Sequence, residues 1–241
     1  MKKIITLFLM LAICSVSFAD NALMNYFRKW VDETRVELAI GKLILDHFSQ
    51  ELSKEYSIKE DPELSKRFAA FVEKSGGKKG TMELKVLVIN SDVPDEILLP
   101  GGTLIVSKGY LQYAVSEEQK DFIFARNAFL TVKKQPLVVI KHEGLYPRFL
   151  DAIRTPDAKL SVESIRDLLR AYLSVTNKMN HKLADVQGAL LTSNPEATRK
   201  AAVEMMSRFT VKIWPPLPFD TIDLPSRIAD LKTLKLPEQK L

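Results

Sequence analysis

Cysteine is almost missing: Cys14 is the single one among 241 residues, so the chain can form neither an internal disulfide nor a thiolate metal cluster. Histidine is scarce too. His47, His142 and His181 are the whole supply, which leaves little material for a zinc site. Neither sign of charge dominates, because 35 basic residues against 30 acidic ones give only +5, and no run is long enough to track a phosphate backbone. Nucleic acid is therefore not an expected partner. Internal repeats and low-complexity linkers are also lacking. The 46% hydrophobic and 27% charged residues that are present form the balance of a globular chain, which disfavours disorder and multiple membrane spans.

The first segment is read as a targeting signal. Lys2 and Lys3 make a positive start, Ile4 to Val16 is almost wholly apolar, and Ser17-Phe18-Ala19 supplies small residues at the positions a signal peptidase reads. That apolar run is short for a hydrocarbon core of about 30 Å, which argues against a retained anchor. Ile13 stands before Cys14 where a lipoprotein signal needs a small residue, so lipidation is disfavoured. Residues 1–19 are thus the expected signal peptide and residues 20–241 a single exported domain, periplasmic or associated with the cell envelope. Its 222 residues hold 33 basic and 30 acidic side chains and no cysteine. Such a chain must rely on an ordinary apolar core.

Periodicity predicts a mostly helical chain with one small sheet. From Ala22 to about Tyr56, Tyr26, Phe27, Trp30, Val31, Leu38, Ile40, Leu45, Phe48 and Leu52 recur at helical spacing, with a break expected near Gly41. Asp61-Pro62-Glu63 starts a helix that Ser75-Gly76-Gly77 ends. Leu84 to Ile89 reads as a strand, and Glu96 to Leu99 with Thr103 to Val106 as two more around Pro100-Gly101-Gly102. Ser107 to Val115 is a short helix, and Ser116 opens a second one to about Lys133. Pro136 to Ile140 fits either a strand or a buried helix. Ser161 caps a long helix through Leu191, Asn194-Pro195-Glu196 starts another ending near Phe209, Trp214 to Pro218 is extended, and Pro225 to Leu234 forms a last helix.

Leu99-Pro100-Gly101-Gly102-Thr103-Leu104-Ile105-Val106-Ser107-Lys108-Gly109-Tyr110-Leu111, followed by Ser116-Glu117-Glu118, resembles the HtpX/BepA-type zinc metallopeptidases, peptidase family M forty-eight. The likeness extends to Glu37-Leu38-Ala39-Ile40-Gly41 and Asp61-Pro62-Glu63-Leu64. It continues at His181-Lys182-Leu183-Ala184-Asp185, Asn194-Pro195-Glu196-Ala197 and Pro225-Ser226-Arg227-Ile228-Ala229-Asp230-Leu231. Several such motifs in one order are more specific than any one of them. The resemblance implies an α+β fold, a mostly helical zincin-like (minigluzincin-type) domain with one small β-sheet.

The departures from that family decide what function the resemblance implies. Counted without gaps from Gly101, its His-Glu-x-x-His falls on Arg126, Asn127, Ala128, Phe129 and Leu130, and its third ligand falls on His181. Two histidines four apart hold zinc on one helix face, and the glutamate beside the first takes a proton from metal-bound water. Arg126 only donates, Asn127 is no base at neutral pH and Leu130 is apolar. No catalytic residue, no metal ligand and no zinc or other cofactor is expected. The aspartate that orients the first zinc histidine is retained as Asp185, so the resemblance places Arg126 opposite Asp185 as a direct clip between two helices. The bland alternative leaves Arg126 in solvent and pairs Asp185 locally with Lys182.

Other features have readings of their own. His142-Glu143-Gly144-Leu145-Tyr146 is a near match to the zinc motif, but Tyr146 replaces the second histidine and Gly144 and Pro147 oppose a helix there. A relocated site would use His142, Glu143 and His181. The Gly101-Gly102 turn, without a following Gly-Lys-Ser/Thr, is a strand turn and no phosphate cradle. Lys78-Lys79 and Lys133-Lys134 read as solvated charges, and Met205-Met206 with Phe122, Phe124 and Phe129 as core. By analogy with zincin-type enzymes, Gly101, Gly102, Thr103, Leu104, Ile105 and Val106 form an edge along which an extended polypeptide adds. The expectation is an exported, catalytically inactive relative that binds polypeptide segments or envelope partners. The alternatives are an active metalloendopeptidase with replaced ligands, or a scaffold that uses surfaces such as Trp214 to Pro218.

Overall fold

The computed structural model describes residues 33–50, 54–78, 82–154, 162–211 and 223–235. The expected signal peptide with Cys14, and the segment Trp214 to Pro218, lie outside them.

Helix α1 covers residues 33–50 and runs through Gly41 without the expected break. Close approach explains the glycine: a Cβ there would lie 2.0 Å from the Pro100 carbonyl oxygen. Strand β1 (Ile58–Glu60) follows, then α2 (Pro62–Lys74), whose N-cap Asp61 accepts from the amides of Glu63 and Leu64. Strands β2 (Lys85–Ile89), β3 (Glu96–Leu98) and β4 (Thr103–Ser107) complete a four-stranded sheet of order β1-β2-β4-β3. β2 and β4 are parallel, with Leu87 opposite Ile105. β1 and β3 pair antiparallel on the outside, Ile58 opposite Ile89 and Ile97 opposite Ile105.

Helices make up the rest: α3 (Lys108–Tyr113), α4 (Glu117–Val132), α5 (Gln135–His142), α6 (Tyr146–Arg154), α7 (Val162–Val175), α8 (His181–Leu190), α9 (Pro195–Val211) and α10 (Leu224–Thr233). The fold is α+β, mostly helical with one small mixed sheet. Among the described residues no helix is long and apolar enough to cross a membrane.

One open reading is resolved here and one expectation is corrected. The ambiguous stretch Pro136 to Ile140 is helical, entered from Lys134 at φ 50° with a proline in the first turn. The long helix expected up to Leu191 is broken by a 3-10 turn, Thr176–Lys178. At the break the Thr176 hydroxyl turns back onto the Leu173 carbonyl, Met179 is extended, and Asn180 caps a new helix by accepting from the Leu183 amide at 3.1 Å. A side chain that satisfies orphan amides makes a restart as good locally as a continuation.

α4 is buried almost all round: Gln119 and every residue from Phe122 to Thr131 are shielded from solvent. One apolar cluster joins it to the sheet, α1 and α2 through Ile40, Ile44, Phe68, Val72, Val86, Leu104, Val106 and Phe124. Another joins it to α3, α9 and α10 through Tyr110, Phe122, Met205, Phe209 and Leu231. The fold therefore puts α4's polar residues where water cannot satisfy them.

Candidate functional site

α8 buries His181, Ala184, Asp185, Gly188 and Ala189, positions i, i+3, i+4, i+7 and i+8 of one stripe. That stripe faces α4. A Cβ on Gly188 would stand 2.8 Å from the Arg126 amide nitrogen and 2.9 Å from its Cα, so the two backbones meet closely. The polar residues of the stripe, His181 and Asp185, are thereby held against Arg126.

Arg126 occupies the centre of a closed set of charges. Its Nε donates to Asp185 Oδ1 at 2.9 Å, its Nη1 to Glu96 Oε1, and its Nη2 to His181 Nδ1 at 2.9 Å. Arg227 on α10 approaches Asp185 from the other side, Nε to Oδ2 at 2.6 Å and Nη2 to Oδ1 at 3.1 Å. Asn127 Nδ2 donates to Glu96 Oε2 at 2.7 Å and to the Ile123 carbonyl at 2.9 Å. Arg126, Arg227 and Asp185 are each 1% exposed, Asn127 2% and Glu96 4%. Two guanidinium groups and two carboxylates balance without a counterion. Breaking such a set is costly, because the partner left behind has no water to replace what it lost.

The electrostatics follow from the contacts. Burial pushes the Asp185 carboxyl up, but Arg227 and Arg126 outweigh it and hold the group below the usual aspartate value. An arginine has no acceptor, so His181 Nδ1 must be the unprotonated nitrogen, and Nε2–H donates to the Thr176 carbonyl at 3.1 Å. Burial first, then the Arg126 and Arg227 charges, pull that imidazole down to about 4. His181 is neutral, with both ring nitrogens engaged.

The residues do not fit the zinc that the resemblance implies. Leu130 is buried among apolar side chains, Arg126 and Asn127 present N–H groups inward, and the free lone pair of His181 is taken by Arg126. Catalytic zinc needs three protein ligands and an open position. No group of three His, Cys, Asp or Glu side chains suited to a metal occurs among the described residues. The relocated set does not assemble either. His142 ends α5 with its side chain in solvent, paired with Glu143 at 3.0 Å, while Glu143 turns to Lys178 at 2.5 Å and His181 faces inward.

The alternative pairing of Asp185 with Lys182 is overturned, since Lys182 instead meets Asp223 at 3.1 Å and donates to the Ser226 hydroxyl. The expected polypeptide-binding edge is also misplaced. Thr103 to Val106 are buried in β4, an inner strand with β2 on one side and β3 on the other, so no incoming strand can pair there. The outer strand on this side is β3, whose Leu98 carbonyl accepts from the buried Tyr172 hydroxyl at 2.5 Å. Gly101 and Gly102, at φ 83° and 99°, form the turn, and their amides go to Glu37 Oε1 at 3.4 Å and the Leu99 carbonyl at 3.3 Å. Lys134 pairs with the same Glu37 at 3.2 Å.

Sequence reasoning assigned no role to Glu96 or Arg227. Each carries a signal of its own. Arg227 falls between Leu224, Ile228 and Leu231 on the apolar stripe of α10, and Glu96 shares the β3 face of Leu98 in a strand buried throughout. A charge on a buried face demands a partner of opposite sign.

Compared with known proteins, the chain matches no protein-family model and no curated protein.

Proposed function

We propose that this chain is an exported, non-catalytic protein of zincin-like (minigluzincin-type) build that acts by binding polypeptide segments or cell-envelope partners. The observation that carries this reading is Arg126, which the resemblance aligns with the first zinc histidine, bonded at once to Asp185, Glu96 and His181. A side chain that fills the metal's place with three satisfied hydrogen bonds leaves neither a Lewis acid site nor a general base. The order of motifs from Glu37 to Leu231 supports the family likeness, and the retained Asp185 supports descent from a site that once oriented a ligand. The reading of an active metalloendopeptidase with replaced ligands has no donor set in its favour among the described residues.

The test uses the purified chain without residues 1–19. Elemental analysis should find far less than one zinc per molecule, casein and unfolded protein should stay intact, and a partner cross-linked in the cell envelope should rebind the purified chain directly. Near-stoichiometric zinc that His181→Ala abolishes, together with proteolysis, would overturn the proposal.

A further inference from the structure

His181 is held by two bonds that only the neutral ring can make together. Nδ1 accepts from Arg126 on α4, and Nε2–H donates to the Thr176 carbonyl in the 3-10 turn. The turn and the start of α8 are thus tied to α4 through one imidazole, directly after the helix break at Lys178 to Asn180. The groups that face this ring are Arg126 from α4, Arg227 from α10, Asp185 from its own helix and the Thr176 carbonyl from the turn. Glu96 on β3 reaches the set through Arg126, and α9 meets α8 near Ala189, in the other apolar cluster.

Protonation changes the count. A third positive charge joins Arg126 and Arg227 against two carboxylates, and the Nδ1 acceptor becomes a donor pointing at a donor. The Asp185 and Glu96 carboxylates already balance the two guanidinium groups, so the new charge has no carboxylate of its own within the set. We propose that His181 is an acid-sensitive latch, whose protonation releases the 3-10 turn and the first turn of α8 from α4 while the remaining core stays folded.

Linkage sets the expected size. A ring that titrates near 4 when latched and as an ordinary imidazole when released makes opening more favourable by on the order of thirtyfold between pH 6.5 and 4.5. Hydrogen exchange on the full mature chain, corrected for intrinsic rates, should show that rise at residues 176–185 and not in the middle of α4. His181→Gln keeps an acceptor and a donor but does not titrate, and should flatten the rise to under about threefold. Should that variant fail to fold, the His181 ring of the unaltered chain is followed by NMR. A midpoint near 4, with the exchange rise running from the ordinary imidazole range down to it, supports the latch. A midpoint in the ordinary imidazole range, uniform exchange across all helices, or the same rise in His181→Gln would overturn it.

Discussion

Asp185 accepts from Arg126 through Oδ1 and from Arg227 through both oxygens, so a single carboxylate bridges two buried cations. Removing it takes a buried anionic partner from each arginine. Asp185→Ala is expected to destabilise the fold by about 3–5 kcal/mol, where an exposed pair would give under about 1 kcal/mol. Arg126→Ala leaves Asp185 with Arg227 but takes from Glu96 its guanidinium partner. In the double variant part of each penalty is already spent, and a coupling of about 1–3 kcal/mol is expected from urea denaturation of all four proteins. Coupling indistinguishable from zero would show that Arg126 and Asp185 do not act as a pair. The sequence made this pair legible through the matched positions of two motifs. It did not reveal Glu96 or Arg227, which lie 30 residues from Arg126 and 42 from Asp185, because separations of that size carry no period to read.

At the scale of elements, the clusters depend on how closely α4 and α8 approach. Gly188 permits it. Alanine in an exposed helix would stabilise by up to about 1 kcal/mol relative to glycine, but here its Cβ would press on the backbone of Arg126. Overpacking of that kind costs about 1–3 kcal/mol, so the clash wins and Gly188→Ala should lower the urea midpoint with an unchanged slope. A higher midpoint would mean that the helices part freely. Helix starts were read well from sequence, as at Asp61-Pro62, Ser116 and Asn194-Pro195, because a cap is made by residues within one turn of each other. β1 and the break after Val175 were not. Three residues such as Ile58–Glu60 have no period, and become a strand only by pairing with β2.

For the whole molecule, the signs of the shifts predict sensitivity to acid, and the side chains around Arg126 predict indifference to chelators. The folded-state value of His181 is depressed, so its contribution is complete above the ordinary imidazole range and is lost as pH falls toward about 4. Asp185, also depressed, adds a second loss below the ordinary aspartate value. Unfolding free energy measured between pH 7 and 4 should therefore fall by on the order of 3 kcal/mol from His181 alone. A flat profile over that window would contradict the buried, neutral ring. Addition of a chelator should leave the thermal midpoint unchanged, since structural zinc would supply many kcal/mol of folding energy. A drop in the midpoint would reveal a bound metal.

Whatever depends on neighbours in the chain was determined by the sequence alone: the caps, the strands Lys85–Ile89 and Thr103–Ser107, the apolar faces, and the absence of a ligating side chain at Arg126 and Leu130. Tertiary structure decided what depends on approach in space. It buried β4 between two strands, turned His181 away from His142, and brought β3, α4, α8 and α10 to one point. The physical reason is desolvation: whether an arginine or a carboxylate is a surface charge or the keystone of a core depends on the water it has lost, and only the packed chain sets that.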